Sequence, residues 1–181
     1  MLIAKGMSLK QQKGFTLIEL LVVISIIGVL STIAMTSLNG ARAKARDVKR
    51  MTEIGEIQKA LELYYADNGK YPTPGSSATY PNGCWINSAY PSWNDLQVQL
   101  APYFPNLPKD TKNTTGWAPW SVDSYNYSYS SCGGGCDRQW YVLVYRLEAG
   151  GVTDRGVKRC DGTVWKANTT NVVSIGECKG C

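Results

Sequence analysis

Two sets of residues in this chain are of types that could do chemistry. The first is a single carboxylate, Glu19, inside a run from Phe15 to Met35 that is otherwise free of charge and mostly apolar. A carboxylate facing lipid costs about 2.5–3.5 kcal/mol near the middle of a span and less near its end, so intramembrane charges are usually paired or functional. Just before it, Lys13-Gly14-Phe15 joins a basic, polar leader to the apolar run with no spacer. The second set is six cysteines, Cys84, Cys132, Cys136, Cys160, Cys178 and Cys181, all beyond the apolar run. The pairs Cys132-x-x-x-Cys136 and Cys178-x-x-Cys181 have spacings that four zinc-bound thiolates can use. An even number of cysteines in a polar domain that follows an anchor points instead to disulfides and an oxidising compartment. A redox role for Cys178-x-x-Cys181 is disfavoured, because the motif ends the chain and has no βαβ context.

Other chemistries find little support. The sequence has no histidine, which removes the commonest general base and a common metal ligand. It shows no triad and no paired catalytic carboxylates, so an enzyme is not expected and no cofactor is implied. Asp123, Asp137, Asp154 and Asp161 lack EF-hand-like spacing and read as scattered loop aspartates. Gly133 to Gly135 is not followed by Gly-Lys-Ser/Thr and makes a poor phosphate cradle. The net charge of +5 does not by itself indicate nucleic acid as a partner.

Lys13-Gly14-Phe15-Thr16-Leu17-Ile18-Glu19-Leu20 resembles the cleavage and methylation signal of type IV pilins and type II secretion pseudopilins. The resemblance implies that a prepilin peptidase cleaves between Gly14 and Phe15 and that Phe15 is N-methylated. It implies that Glu19 pairs with the new amino terminus of a neighbouring subunit. Physical chemistry is consistent with each role. Gly14 has no side chain to keep a protease from its backbone. Glu19 lies four residues after Phe15, on the same helical face as the amine that cleavage would expose. Opposite charges buried together cost far less than either alone. The segment Tyr64 to Pro74 is similar to the helix exit of major pseudopilins and many pilins. Leu107-Pro108-Lys109-Asp110 also resembles a pseudopilin segment, and calcium in the head would follow some pseudopilins.

These residues need elements to position them. From Phe15 the apolar run is long enough, as a helix, to cross a hydrocarbon core of roughly 30 Å. Helical spacing continues through Val48, Met51, Ile54, Ile57, Leu61 and Tyr64, which form one apolar face. The charge run Arg42 to Arg50 reads as a solvated or headgroup-facing surface. Asp67-Asn68-Gly69 and then Pro72 end the helix. Ser92 with Asp95 forms an N-cap signal for a short helix over Trp93 to Ala101, before Pro102. Tyr125, Tyr127 and Tyr129 alternate with polar residues, as on one face of a half-buried strand. Gln139 to Leu147, Val157 to Arg159, Thr163 to Lys166 and Val172 to Ile175 are further strands. Asp161-Gly162 is a turn, and Cys132-Gly133-Gly134-Gly135-Cys136 reads as a hairpin turn. Its three glycines make Cys132–Cys136 the first candidate for a disulfide, with the rest drawn from Cys84, Cys160, Cys178 and Cys181.

The expected fold class is α+β: one long helix, half in membrane and half amphipathic, packed on a small antiparallel sheet. The expected division is a leader at 1–14, a transmembrane or filament-core half-helix at 15–36, an amphipathic half at 37–70 and a disulfide-containing head at 71–181. Met7 is an alternative start. The resemblance implies a structural subunit that polymerises with other pilin subunits, with prepilin peptidase and the pilus assembly machinery as partners and membrane lipid as its environment before assembly. The alternatives are a type II secretion pseudopilin and a membrane-anchored zinc-binding or receptor domain. Counting Lys and Arg on the two flanks would place the C-terminal side in the cytoplasm. The cysteines and the resemblance outweigh that count, so the head is expected outside a single-pass inner-membrane precursor and then on a surface filament. A secretory signal cut near Ala43 or Ala45 is the rival for this end, but the run is too long and holds Glu19.

Overall fold

The computed structural model describes residues 14–75, 84–116, 121, 123–133 and 136–181. The expected leader lies outside these residues, apart from Gly14. Helix α1 spans Leu17–Asn68, 52 residues, as the continuous periodicity predicts. It carries the boundary between two compact units, the first ending at Ala41 and the second running Arg42–Cys181.

Among the described residues, the helix in the first unit buries no large apolar side chain against the chain. Every large apolar side chain from Phe15 to Leu38 is exposed. Ser25 donates its hydroxyl to the Val22 carbonyl, Ser31 to Ile27 and Thr32 to Val29, at 2.7, 2.7 and 2.8 Å. Each hydroxyl is thereby satisfied by its own helix and adds no unpaired polar group to the surface. Among the described residues this is the one helix long and apolar enough to cross a membrane.

The second unit is built on a four-stranded antiparallel sheet. Its strands are β1 (Ile86–Asn87), β2 (Ser128–Ser130), β3 (Trp140–Arg146) and β6 (Val172–Cys178), in the order β1-β2-β3-β6. β4 (Val157–Lys158) and β5 (Val164–Trp165) form a separate hairpin. Its turn is at Asp161-Gly162, where Gly162 takes φ +82°. Strand alternation sends β3 side chains into two cores. Tyr141, Leu143 and Tyr145 join Ile54, Ile57 and Leu61 of α1, and Trp93, Leu96 and Leu100 of helix α2 (Trp93–Leu100). Trp140, Val142 and Val144 pack with Val157, Val172 and Cys136, flanked by Trp85, Trp165, Cys160 and Cys178. The expected half-buried strand is therefore buried on both faces: Ser128 and Ser130 are as buried as Tyr129.

Other local expectations are also revised. The buried face of α1 in this unit is Asp47, Arg50, Ile54, Ile57 and Leu61, whereas Val48 and Met51 are exposed. β1 falls in a stretch whose Ser, Pro and Asn content reads as loop. Ser92 precedes α2 but makes no side-chain cap, because its own φ/ψ are already helical. Turns from Asn87 onward feed the chain directly into α2, with Tyr90 N–H donating to Asn87 O and Trp93 N–H to Tyr90 O. At the end of α1, Gly69 adopts φ +67° and donates to the Tyr65 carbonyl at 2.8 Å, a conformation that favours glycine. The exit is then pinned to the sheet, where Pro72 O accepts from Tyr129 Oη at 2.7 Å and Ser131 Oγ at 2.6 Å.

Candidate functional site

At the N-terminal end of α1 the described chain begins with an exposed Gly14 and Phe15. A side chain at Gly14 would meet nothing within 4 Å, so the space beside its Cα is open. Thr16 and Glu19 form a reciprocal cap. Glu19 Oε2 accepts from Thr16 N at 2.8 Å and Thr16 Oγ1 at 2.7 Å, while Glu19 N–H donates to Thr16 Oγ1 at 3.3 Å. This is the capping-box arrangement, which satisfies donors that a helix start leaves open. Phe15, Ile18, Glu19, Val22 and Val23 line one shallow depression, so the carboxylate sits within an apolar surface. The structure thus places Phe15 and Glu19 on one face. It adds Thr16 as a third member, legible in the spacing Thr16-x-x-Glu19 but obscured by the apolar run around it.

A second constellation lies in the head and was not legible. Arg50 is fully buried, with a three-way set of anions around it. Its Nε and Nη2 donate to Asp110 at 2.6 and 3.1 Å, and Nη1 donates to Asp47 at 2.8 Å. Nη1 also lies 2.8 Å from Glu148 Oε1. Arg46 grips Glu148 with two hydrogen bonds at 2.8 and 2.6 Å, and Lys112 Nζ lies 2.9 Å from the same carboxylate. Asp47 further accepts from the backbone N–H of Glu148 and Ala149. Three cations face three carboxylates, and Arg50 and Lys112 also lie over the Tyr125 ring at 5.0 and 4.2 Å. The Arg46 hydrogen bonds hold the Glu148 carboxyl well below the usual range, against the opposing effect of burial. Burial would lower the Arg50 value, but Asp110 and then Glu148 and Asp47 outweigh it and raise it. The charge run Arg42 to Arg50 is thus not a uniformly solvated face. Arg46 and Arg50 are the electrostatic clasp that holds α1 to two loops. Within the cluster each cation is paired with at least one carboxylate.

The six cysteines form three disulfides: Cys84–Cys132, Cys136–Cys160 and Cys178–Cys181. The expected Cys132–Cys136 bond is not made. Cys132 is drawn to Cys84, before β1, because β1 pairs with β2 and brings the two ends together. The sulfurs of Cys136, Cys160 and Cys178 lie within 4.8 Å of one another, but each is in a disulfide and so none is a metal-binding thiolate. Three of the four loop aspartates are engaged locally through their carboxylates. Asp154 accepts from Gly156 N, Ala167 N, Ser174 N and Ser174 Oγ, tying β4–β5 to β6. Asp137 pairs with Lys70, and Asp161 accepts from Thr163.

Comparison with known proteins meets this geometry at the N-terminal end. Residues 9–35 match the Prokaryotic N-terminal methylation motif. The chain is similar to type II secretion system core protein G of Aeromonas hydrophila, 40% identical over 67 residues, or 37% of this chain and 47% of that one. Core protein G of Escherichia coli is 44% identical over 63 residues, 35% of this chain and 43% of that one. The fimbrial protein EcpC of Eikenella corrodens is 39% identical over 84 residues, 44% of this chain and 55% of that one. The chain spans about half the length of the curated relatives it matches. No solved structure matches.

Proposed function

We propose that this chain is a type IV pilin-like subunit, a structural protein that is processed at Gly14–Phe15 and polymerises through the apolar half of α1. The observation that carries this reading is the exposure of every large apolar side chain of that half, Phe15 to Leu38, in the single chain. Leaving such side chains in water would cost roughly 1.5–3 kcal/mol each. Summed over the run, that exceeds the roughly 5–15 kcal/mol that keeps a domain folded. Lipid before assembly and neighbouring subunits afterwards would both cover it. The motif match over residues 9–35 supports the same conclusion.

In this reading a prepilin peptidase cuts after Gly14 on the cytoplasmic side, Phe15 is methylated, and the head stands outside the membrane. Cleavage would create a cation beside the Thr16–Glu19 cap, and Glu19 of one subunit would pair with the amine of another. Similarity to core protein G supports a second version of the reading, in which the subunit is a pseudopilin of a secretion system.

The test is electron microscopy of filaments sheared from cells, with mass spectrometry of their subunit. The expected subunit begins at Phe15 and carries an added methyl group. Glu19→Ala should insert into the membrane as well as before, since an apolar residue replaces a costly one, yet yield few filaments. A mature terminus near Ala43, or undiminished filaments from Glu19→Ala cells, would refute the reading.

A further inference from the structure

Where the last strand ends, two disulfides lie side by side. Cys160 Sγ, bonded to Cys136, is 3.0 Å from Cys178 Sγ, which is bonded to Cys181. Three further observations give this trio a direction. Cys181 is exposed at the chain end, whereas Cys136 is only 8% exposed. The backbone N–H of Cys160 donates to Cys136 Sγ at 3.2 Å, which favours negative charge on that sulfur. Gly180 lies against the central sulfur, where a Cβ would stand 3.2 Å from Cys160 Sγ. Glycine at this point leaves Cys160 uncovered on the side of the terminal loop.

We propose that this cluster is a thiol–disulfide exchange site that accepts electrons from an external dithiol at Cys181 and passes them to Cys136. A thiolate of the dithiol attacks Cys181 Sγ, and the Cys178–Cys181 bond breaks with its electron pair on Cys178. The Cys178 thiolate attacks Cys160 Sγ, forming Cys160–Cys178 and expelling Cys136 as a thiolate that accepts the Cys160 N–H. The second thiol of the reagent attacks its own partner sulfur in the mixed disulfide, closes the reagent's disulfide and releases Cys181. The dithiol's two protons end on Cys136 and Cys181. One disulfide of the head is reduced, and the survivor now joins the end of β6 to the hairpin β4–β5. Exchange of this kind proceeds by thiolate attack and is governed by access and by leaving-group stability, which the exposed Cys181 and the hydrogen-bonded Cys136 supply. The site belongs to the head and operates whether or not the subunit polymerises.

The experiment uses the full chain in detergent. One molar equivalent of dithiothreitol is added, the reaction is quenched with acid, and free thiols are alkylated before peptide mapping. The expected labels are on Cys136 and Cys181, with a linked peptide pair containing Cys160 and Cys178. Labels on Cys178 and Cys181 with Cys136–Cys160 intact would overturn the proposal, as would labels confined to Cys84 and Cys132. Gly180→Val, which covers Cys160, should shift the label from Cys136 back to Cys178. A second variant needs no reductant. Cys181→Ser should settle with its one free thiol on Cys136 and a Cys160–Cys178 bond, and a free thiol on Cys178 would again overturn the proposal.

Discussion

Arg50 shows how far a single side chain can depart from what its neighbours in sequence suggest. It sits in a charge run that reads as a solvated or headgroup-facing surface, yet it is fully buried. Its helical partner Asp47 is visible at i−3, but Asp110 and Glu148 lie 60 and 98 residues away, where no local pattern can point to them. Glu19 was legible for the opposite reason, since a lone carboxylate in an apolar run stands out without any tertiary knowledge. Removing one member of a buried ion cluster leaves the others uncompensated and costs about 3–5 kcal/mol. Arg50→Leu should therefore lower unfolding stability by about that amount in urea titrations, whereas Arg42→Leu, an exposed position, should change it little. Acid should act on the same cluster. The Glu148 carboxyl is depressed in the folded state, first by the Arg46 hydrogen bonds. Its contribution is complete above the ordinary carboxylate value of about 4 and is lost as pH falls through that value and below. Melting temperatures followed from neutral pH downward should fall more steeply in the native chain than in Glu148→Gln.

At the level of elements, the long helix and most strands were readable because their periodicities are strong. The sequence pattern indicated β3 and β6 and the turn at Asp161-Gly162, and the structure has each of them. β1 was hidden because two residues cannot display an alternation, and its pairing with Ser128 and Tyr129 is set by tertiary contact. The disulfide pairing was hidden with it, since β1 is what carries Cys84 toward Cys132. Gly176 was hidden in another way. It faces Val142 across β3–β6, and a Cβ there would lie 2.0 Å from the Tyr141 carbonyl oxygen. Gly176→Val should force β3 and the edge strand β6 apart and destabilise the head by about 3–4 kcal/mol or more, the upper range for single substitutions. Gly162→Ala, where nothing lies within 4 Å, should cost only the positive-φ penalty of about 1 kcal/mol. Equal losses in the two variants, read by circular dichroism melts, would show that the β3–β6 approach is not what requires glycine.

Among the described residues, the molecule combines a unit with no core of its own and a unit with two. The head compensates for its modest size by covering both faces of its sheet and by cross-linking distant segments. Cys84–Cys132 closes 48 residues of chain, against 24 for Cys136–Cys160 and 3 for Cys178–Cys181. Chain entropy then assigns about 4 kcal/mol to the first and under about 2 kcal/mol to the last. Replacing Cys84 and Cys132 together by alanine should lower the denaturation midpoint well beyond the loss from replacing Cys178 and Cys181. Comparable losses would mean that the bridges stabilise through local packing and not through loop closure.

The hydroxyls of Ser25, Ser31 and Thr32 are folded back onto carbonyls of their own helix. Along that stretch the rod offers a neighbour few catch points, because the hydroxyl protons are already donated internally and the side chains around them are apolar. Rods of this kind, packed side by side, meet only the shallow ripple of van der Waals contact as they slide along one another. Axial slip between them is opposed by little except the polar end at Thr16 and Glu19. A bundle made from such rods would stretch and recoil under tension much as a sheaf of oiled fibres does, held in step from one end.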